Sequence, residues 1–160
     1  MKQRRITTIC TLWCIGILAV SLQSCQNNSI FTEYAKTENL EWLSSDAKTF
    51  TFENTDDSTN VDLLVAFRYA QGFQFNAMQM NLIEKTPVGN FTYPVSIQIR
   101  DSKGAYIGEG SGDIWDIEIP IKQNVKLAKG TYTFIINHTM PVSKVHMVME
   151  VGCKIVKSKR

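Results

Sequence analysis

Val61-Asp-Leu-Leu-Val-Ala-Phe-Arg-Tyr-Ala70 alternates without a break, with Val61, Leu63, Val65, Phe67 and Tyr69 on one side and Asp62, Leu64, Ala66, Arg68 and Ala70 on the other. A period of two belongs to a β-strand, whose successive side chains point to opposite faces. One face this apolar implies a sheet that packs on a second layer. Upstream, Thr49-Phe-Thr-Phe52 reads as a short strand, and Glu53-Asn-Thr-Asp-Asp-Ser-Thr-Asn60 supplies turn residues between the two. Downstream, Met78 to Ile83 predicts a strand ended by Thr86-Pro-Val-Gly-Asn90, and Val95, Ile97 and Ile99 alternate with Ser96, Gln98 and Arg100. Asp101-Ser-Lys-Gly104 has the turn chemistry for a hairpin into Ala105-Tyr-Ile107. Ile117, Ile119 and Ile121 face one way from the next strand, where Pro120 marks an edge or a bulge. Gly130 to Ile136 and Lys144 to Val156 complete the set. No stretch keeps a helical period. About eight strands separated by Gly, Pro and Asn turns predict an all-β, antiparallel β-sandwich, of jelly-roll or immunoglobulin-like topology.

The N-terminus has a different grammar. Met1-Lys-Gln-Arg-Arg5 is basic, and Ile6 to Leu22 is predominantly apolar but interrupted by Thr7, Thr8, Thr11 and Gly16. That is the layout of a secretory signal rather than of a permanent span, which needs about 20 apolar residues. It runs into Leu22-Gln23-Ser24-Cys25. Those four residues resemble the lipobox of bacterial lipoproteins, which implies cleavage between Ser24 and Cys25, a diacylglyceryl group on the Cys25 thiol, and acylation, for example by palmitate, of the freed amine. The predicted organisation is a signal peptide over 1–24, a lipidated N-terminus and tether over 25–38, and a β-sandwich domain over 39–160. No cofactor beyond the acyl chains is expected.

Charge and cysteine usage agree with an exported protein. The formal net charge is +2, but Lys2, Arg4 and Arg5 lie in the leader, so the remainder holds 14 basic against 15 acidic residues. No basic field for nucleic acid survives. Cys10 and Cys14 leave with the signal and Cys25 is consumed by lipid, so Cys153 is left without a disulfide partner. It shares a face with Val145, Met147, Met149, Val151 and Ile155, which predicts a buried, inert thiol.

Few residues suggest chemistry. His138 and His146 are the only histidines, and neither belongs to a metal-spaced pair or a nucleophile motif, so the chain reads as non-enzymatic. Gly108-Glu-Gly-Ser-Gly-Asp113 lacks the following helix of a phosphate loop and predicts a glycine-kinked β-bend. Asp113, Asp116 and Glu118 are oxygen donors at close spacing, yet no calcium loop surrounds them; Asp116 and Glu118 suit a solvated sheet face equally well, and no metal site is assigned. Trp42, Tyr93, Tyr106 and Trp115 are candidates for an aromatic platform or for inter-sheet packing. The candidate binding surface is Tyr106, Trp115, Asp113 and Asp116.

From about Leu40 to Ile155 the sequence resembles the gliding motility-associated lipoprotein family GldH of Bacteroidetes. The landmarks are Trp42, Phe50 and Phe52, Thr55-Asp56, Leu64-Val-Ala-Phe-Arg-Tyr69, Asn76, Pro87 and Gly89, the run Asp101 to Ile114, Gly130-Thr-Tyr-Thr-Phe134, Met140 and Val151-Gly152. Tyr106 stands where the family tends to have Trp, and Pro141 follows Met140 where Arg is usual. The resemblance implies an envelope component associated with gliding and protein secretion, held at a membrane by lipid and working through protein partners. The competing expectation is a ligand-binding sandwich for glycan, with calcium optional. Gln26-Asn27-Asn28 carries neither an inner-membrane retention Asp nor an acidic surface-export signal, which predicts the outer membrane, periplasmic face.

Overall fold

The computed structural model describes residues 28–159. Ser24 and Cys25 lie outside the described residues. Eleven strands follow in chain order: β1 Ser29–Lys36, β2 Glu41–Leu43, β3 Lys48–Asn54, β4 Asn60–Ala70, β5 Ala77–Thr86, β6 Gly89–Gln98, β7 Glu109–Ser111, β8 Ile114–Lys126, β9 Gly130–His138, β10 Lys144–His146 and β11 Val148–Lys157. They form a five-stranded sheet, β1-β11-β4-β8-β7, a four-stranded sheet, β3-β9-β5-β6, and a two-stranded ribbon, β10-β2, all with antiparallel pairing. The two larger sheets face each other as a β-sandwich.

The alternation in β4 sets the core. Val61, Leu63, Val65, Phe67 and Tyr69 are buried, and they meet Met78, Met80 and Leu82 of β5, Tyr132, Phe134 and Ile136 of β9, and Val151, Cys153 and Ile155 of β11 in one apolar cluster. Ala66 is also buried although it belongs to the outer face. It pairs with Gly152, and a Cβ on that glycine would sit 2.6 Å from the Tyr34 ring, so Tyr34 of β1 lies across the sheet at this point.

The segment read as a tether contributes a strand. Ser29–Lys36 pairs with β11 over its whole length, with Phe31 opposite Ile155 and Ala35 opposite Val151. An edge strand covers the core with only one flank, so Phe31 and Ala35 are half-buried and the apolar period is too sparse to stand out. The Asp101–Gly104 turn forms as expected, with the Asp101 carboxylate accepting from the Lys103 and Ala105 amides. Its arms are short, joined by the bridge between Arg100 and Tyr106 rather than by a ladder. Pro120 is both at an edge and beside a bulge: β7 covers β8 only as far as Asp116, and the β4–β8 register slips between Leu63 and Leu64, opposite Lys122 and Pro120.

The sandwich has two dissimilar ends. One gathers the start of β1, the turns after β3, β5 and β8, and the end of β11; Asn28 accepts there from the Lys157 amide. The other gathers the β4–β5 and β6–β7 connections and the β2–β10 ribbon, which carries the fully buried Trp42 and Val145. Trp42 therefore belongs to the core, and its indole N–H donates to the Asp46 carbonyl at 2.7 Å.

Candidate interaction surfaces

Gly108 to Asp113 builds the corner at which Tyr106 and Trp115 meet. The Gly108–Asp113 stretch is a β-bend: β7 pairs with the start of β8, and Gly112, at φ 64, turns the chain between them. The glycines also make room for packing, since a Cβ on Gly110 would lie 2.8 Å from the Trp115 indole. Tyr106 and Trp115 then pack with ring centroids 4.4 Å apart, and Trp115 stacks on Tyr69. Arg100 sits 4.0 Å from the Tyr106 ring centroid and donates to its hydroxyl, which also accepts from the Gly72 amide. Tyr69 donates to the Ile107 carbonyl at 2.5 Å, and burial pushes its pKa up to about 12. The rings are braced against each other and half-buried, so they cap the core rather than form an open platform.

The two acids of the candidate surface point elsewhere. Asp116 lies on the outer face of the five-stranded sheet, where Arg68 donates from Nε at 2.7 Å and from Nη2 at 3.2 Å, and reaches Glu150 with Nη1 at 2.7 Å. Glu118 takes Lys154 on the same face. Asp113 is exposed at the turn. Among the described residues no cluster of three or more His, Cys, Asp and Glu is placed to hold a metal ion. Tyr93, the remaining aromatic candidate, belongs to β6 of the other sheet and donates to Glu84 at 3.1 Å.

Glu84 was not singled out by sequence reasoning. It continues the inward series Met78, Met80, Leu82, and that spacing is the signal that marks it. Its side chain is 0% exposed, and Lys122 of the opposite sheet reaches it at 2.5 Å. Burial alone would lower the Lys122 pKa, but hydrogen bonding to Glu84 and the carboxylate charge, with Tyr93, hold it above its ordinary value. A buried charge retained at this position needs its partner. His138 is buried edge-on against Trp42, with ring centroids 5.2 Å apart, and burial lowers its pKa. Cys153 is buried between β4 and β1, and burial pushes its thiol well above the ordinary range, as an inert core residue requires.

The ribbon end holds a feature with no sequence signal. Leu40, Leu43 and Val142 are large apolar side chains left exposed there. Asn39, Leu40 and Met147 have φ of 53, 58 and 61, a left-handed backbone uncommon for non-glycine residues. Strain and exposed apolar surface coincide at one end of the molecule.

The family described as GldH lipoprotein matches residues 29–155, which is the whole sandwich from the start of β1 almost to the end of β11. The chain belongs to the GldH lipoprotein family. It is 30% identical over 122 residues to the gliding motility lipoprotein GldH of Flavobacterium johnsoniae, covering 73% of this chain and 75% of that one. It is 22% identical over 148 residues to a gliding motility lipoprotein GldH homolog of Christiangramia forsetii, covering 87% and 90%. Among solved structures it is similar to a non-crystalline cellulose specific carbohydrate-binding module, CBM28, at TM-score 0.40 and 11% identity over 80% of this chain and 73% of that one, too loose a likeness to bear on a ligand. Membership of GldH makes the chain a membrane-anchored envelope lipoprotein with a β-sandwich domain.

Proposed function

We propose that this GldH lipoprotein is a non-catalytic component of a motility- and secretion-associated envelope complex, anchored by acylated Cys25 in the outer membrane with its domain on the periplasmic face. The observation that carries the reading is the join between two independent signals: the lipobox Leu22 to Cys25 ends four residues before Ser29, where the family match and β1 both begin. A lipoprotein domain built this way is a scaffold held at a membrane by acyl chains, two or more of which give stable attachment. The chemical inventory supports a non-catalytic role. His138 is packed on Trp42, Cys153 is in the core, and Asp116 and Glu118 are engaged by Arg68 and Lys154.

Intact-mass measurement of the protein extracted from native membranes tests the anchor. The expected species begins at Cys25 and carries diacylglycerol and an N-acyl chain, and Cys25→Ser leaves the polypeptide outside the membrane fraction. A native chain starting upstream of Cys25, or a serine variant equally retained, overturns it. Protease shaving of intact cells that removed the domain would contradict the periplasmic placement.

A further inference from the structure

We propose that the end of the sandwich bearing Ser29 rests on the headgroup layer of the bilayer, with the Pro87–Val88 hairpin tip and the lysines at 126, 129, 157 and 159 as its contacts. The inference rests on the Cys25 anchor proposed above and adds the orientation and contact surface.

Chain length sets the first constraint. Asn28 is already fixed, its carbonyl accepting from the Lys157 amide at 2.8 Å, and β1 starts at the next residue. Only Gln26 and Asn27 separate Asn28 from the lipidated position. Four residues of fully extended chain reach about 14 Å, so the Ser29 end stays within that distance of the headgroups, which favours seating on that end. The screening length at physiological salt is about 8 Å, so charges at an end seated on the bilayer interact with headgroups and those at the opposite end do not.

Side chains at the near end suit such a surface. The β5–β6 hairpin closes through Pro87 and Val88, and Val88 is 75% exposed, the most exposed of the large apolar side chains among the described residues. The tip is rigid: Thr86 Oγ1 accepts from the Val88 amide and donates to the Gly89 carbonyl, and a Cβ on Gly130 would come within 2.7 Å of the Pro87 ring. A braced turn that projects a branched apolar side chain is suited to insertion at the interface of a bilayer. Around it, Lys126, Lys157 and Lys159 are exposed and form no ion pair among the described residues, while Lys129 lies 3.6 Å from Asp57. The neighbouring acids Glu53, Asp56 and Asp57 are exposed as well, but each is engaged by the protein, Asp57 by Lys129. Asp56 accepts from Ser58 and Thr59, Asp62 from the Asn124 amide and Ser158, and Glu53 from Thr131. Three exposed lysines without an ion pair among the described residues, beside acids that already accept from neighbouring hydroxyls and amides or face Lys129, fit anionic phospholipid headgroups.

The test uses the full lipidated chain in vesicles of phosphatidylethanolamine and phosphatidylglycerol that contain a headgroup-level spin-labelled lipid. A fluorophore is attached in separate proteins at Val88→Cys and at Leu43→Cys, both exposed sites, while the core thiol of Cys153 stays unlabelled. Quenching at position 88 is expected to exceed that at position 43 by at least about threefold. Reversing Lys126, Lys157 and Lys159 to Glu is expected to cut that ratio by about half. Equal quenching at the two positions on floated vesicles overturns the seating. A ratio unmoved by charge reversal removes the lysines from the contact. Protein that fails to float with the vesicles overturns the Cys25 anchor, and the seating with it, and this outcome is distinct from equal quenching on bound protein.

Discussion

The two ends of the sandwich solve different problems. At the Ser29 end the connections are tight turns, and Asn124, at φ 55, is the one non-glycine residue of left-handed backbone among those described there. Val88 on its braced tip is the most exposed large apolar side chain there, with Ile30 and Phe91 also in solvent, and just inside lies the inter-sheet pair Glu84–Lys122. At the ribbon end the chain adopts left-handed conformations at Asn39, Leu40 and Met147, stacks four aromatic rings around Tyr69, and leaves Leu40, Leu43 and Val142 in solvent. With the first end proposed to rest on the bilayer, the second is the end left free for the protein partners of the proposed complex.

The largest effect is expected at the Ser29 end. Lys122→Met leaves the Glu84 carboxylate buried without its cation and should cost about 3–5 kcal/mol of stability, measured by urea unfolding. Replacing both residues with Met should recover most of that loss, because the desolvation of the carboxylate goes with the charge. A single variant as stable as the native chain would show that the pair does not hold the two sheets together.

A smaller cost is expected at the ribbon end. Gly108 has φ 121, and a Cβ there would lie 2.6 Å from the Asp116 carbonyl oxygen. Gly108→Ala should therefore cost about 1–3 kcal/mol and loosen the Tyr106–Trp115 corner, visible as a change in Trp fluorescence.

The third effect is a pH dependence confined to the same end. Folded His138 titrates below its ordinary value of 6.5, because burial against Trp42 disfavours the imidazolium. Between the two pKa values the unfolded chain binds the extra proton, so stability is intact above about 6.5 and falls as pH drops below it. His138→Leu should flatten that slope in thermal melts, and an unchanged slope would place its origin elsewhere.

The smallest effect on stability is expected from Leu43→Lys combined with Val142→Lys. Both residues are exposed, so the change should lie within about 0.5 kcal/mol. Co-purification of envelope proteins from detergent-solubilised membranes should nevertheless fall. Unchanged co-purification would move the protein-contact surface away from the ribbon.

Legibility in the sequence followed the physics of burial. The central strands were readable because β4, β9 and β11 bury one face, so the apolar period survives in the residues themselves. β1 was not, because an edge strand flanking the core needs only Phe31 and Ala35 turned inward. Tyr106 and Trp115 read in the sequence as candidates for a platform or for inter-sheet packing, but their pairing as a cap depends on Tyr69, Arg100 and Gly72, which only the fold brings together. Asp116 and Trp115 share the candidate surface in the sequence, but neighbouring residues of a strand face opposite ways and Arg68 claims Asp116 on the outer surface. Leu40, Leu43 and Val142 left no pattern to find, since one lies in a turn, one ends the three-residue β2 and one lies in a bend, each too short a run for a period to show.

A photo-crosslinking amino acid placed in living cells at Leu43 or at Val88 tests the polarity of the molecule most directly. The account predicts protein adducts from position 43 and lipid adducts without protein from position 88. Protein adducts of equal yield from both positions, or lipid adducts from position 43, would contradict it.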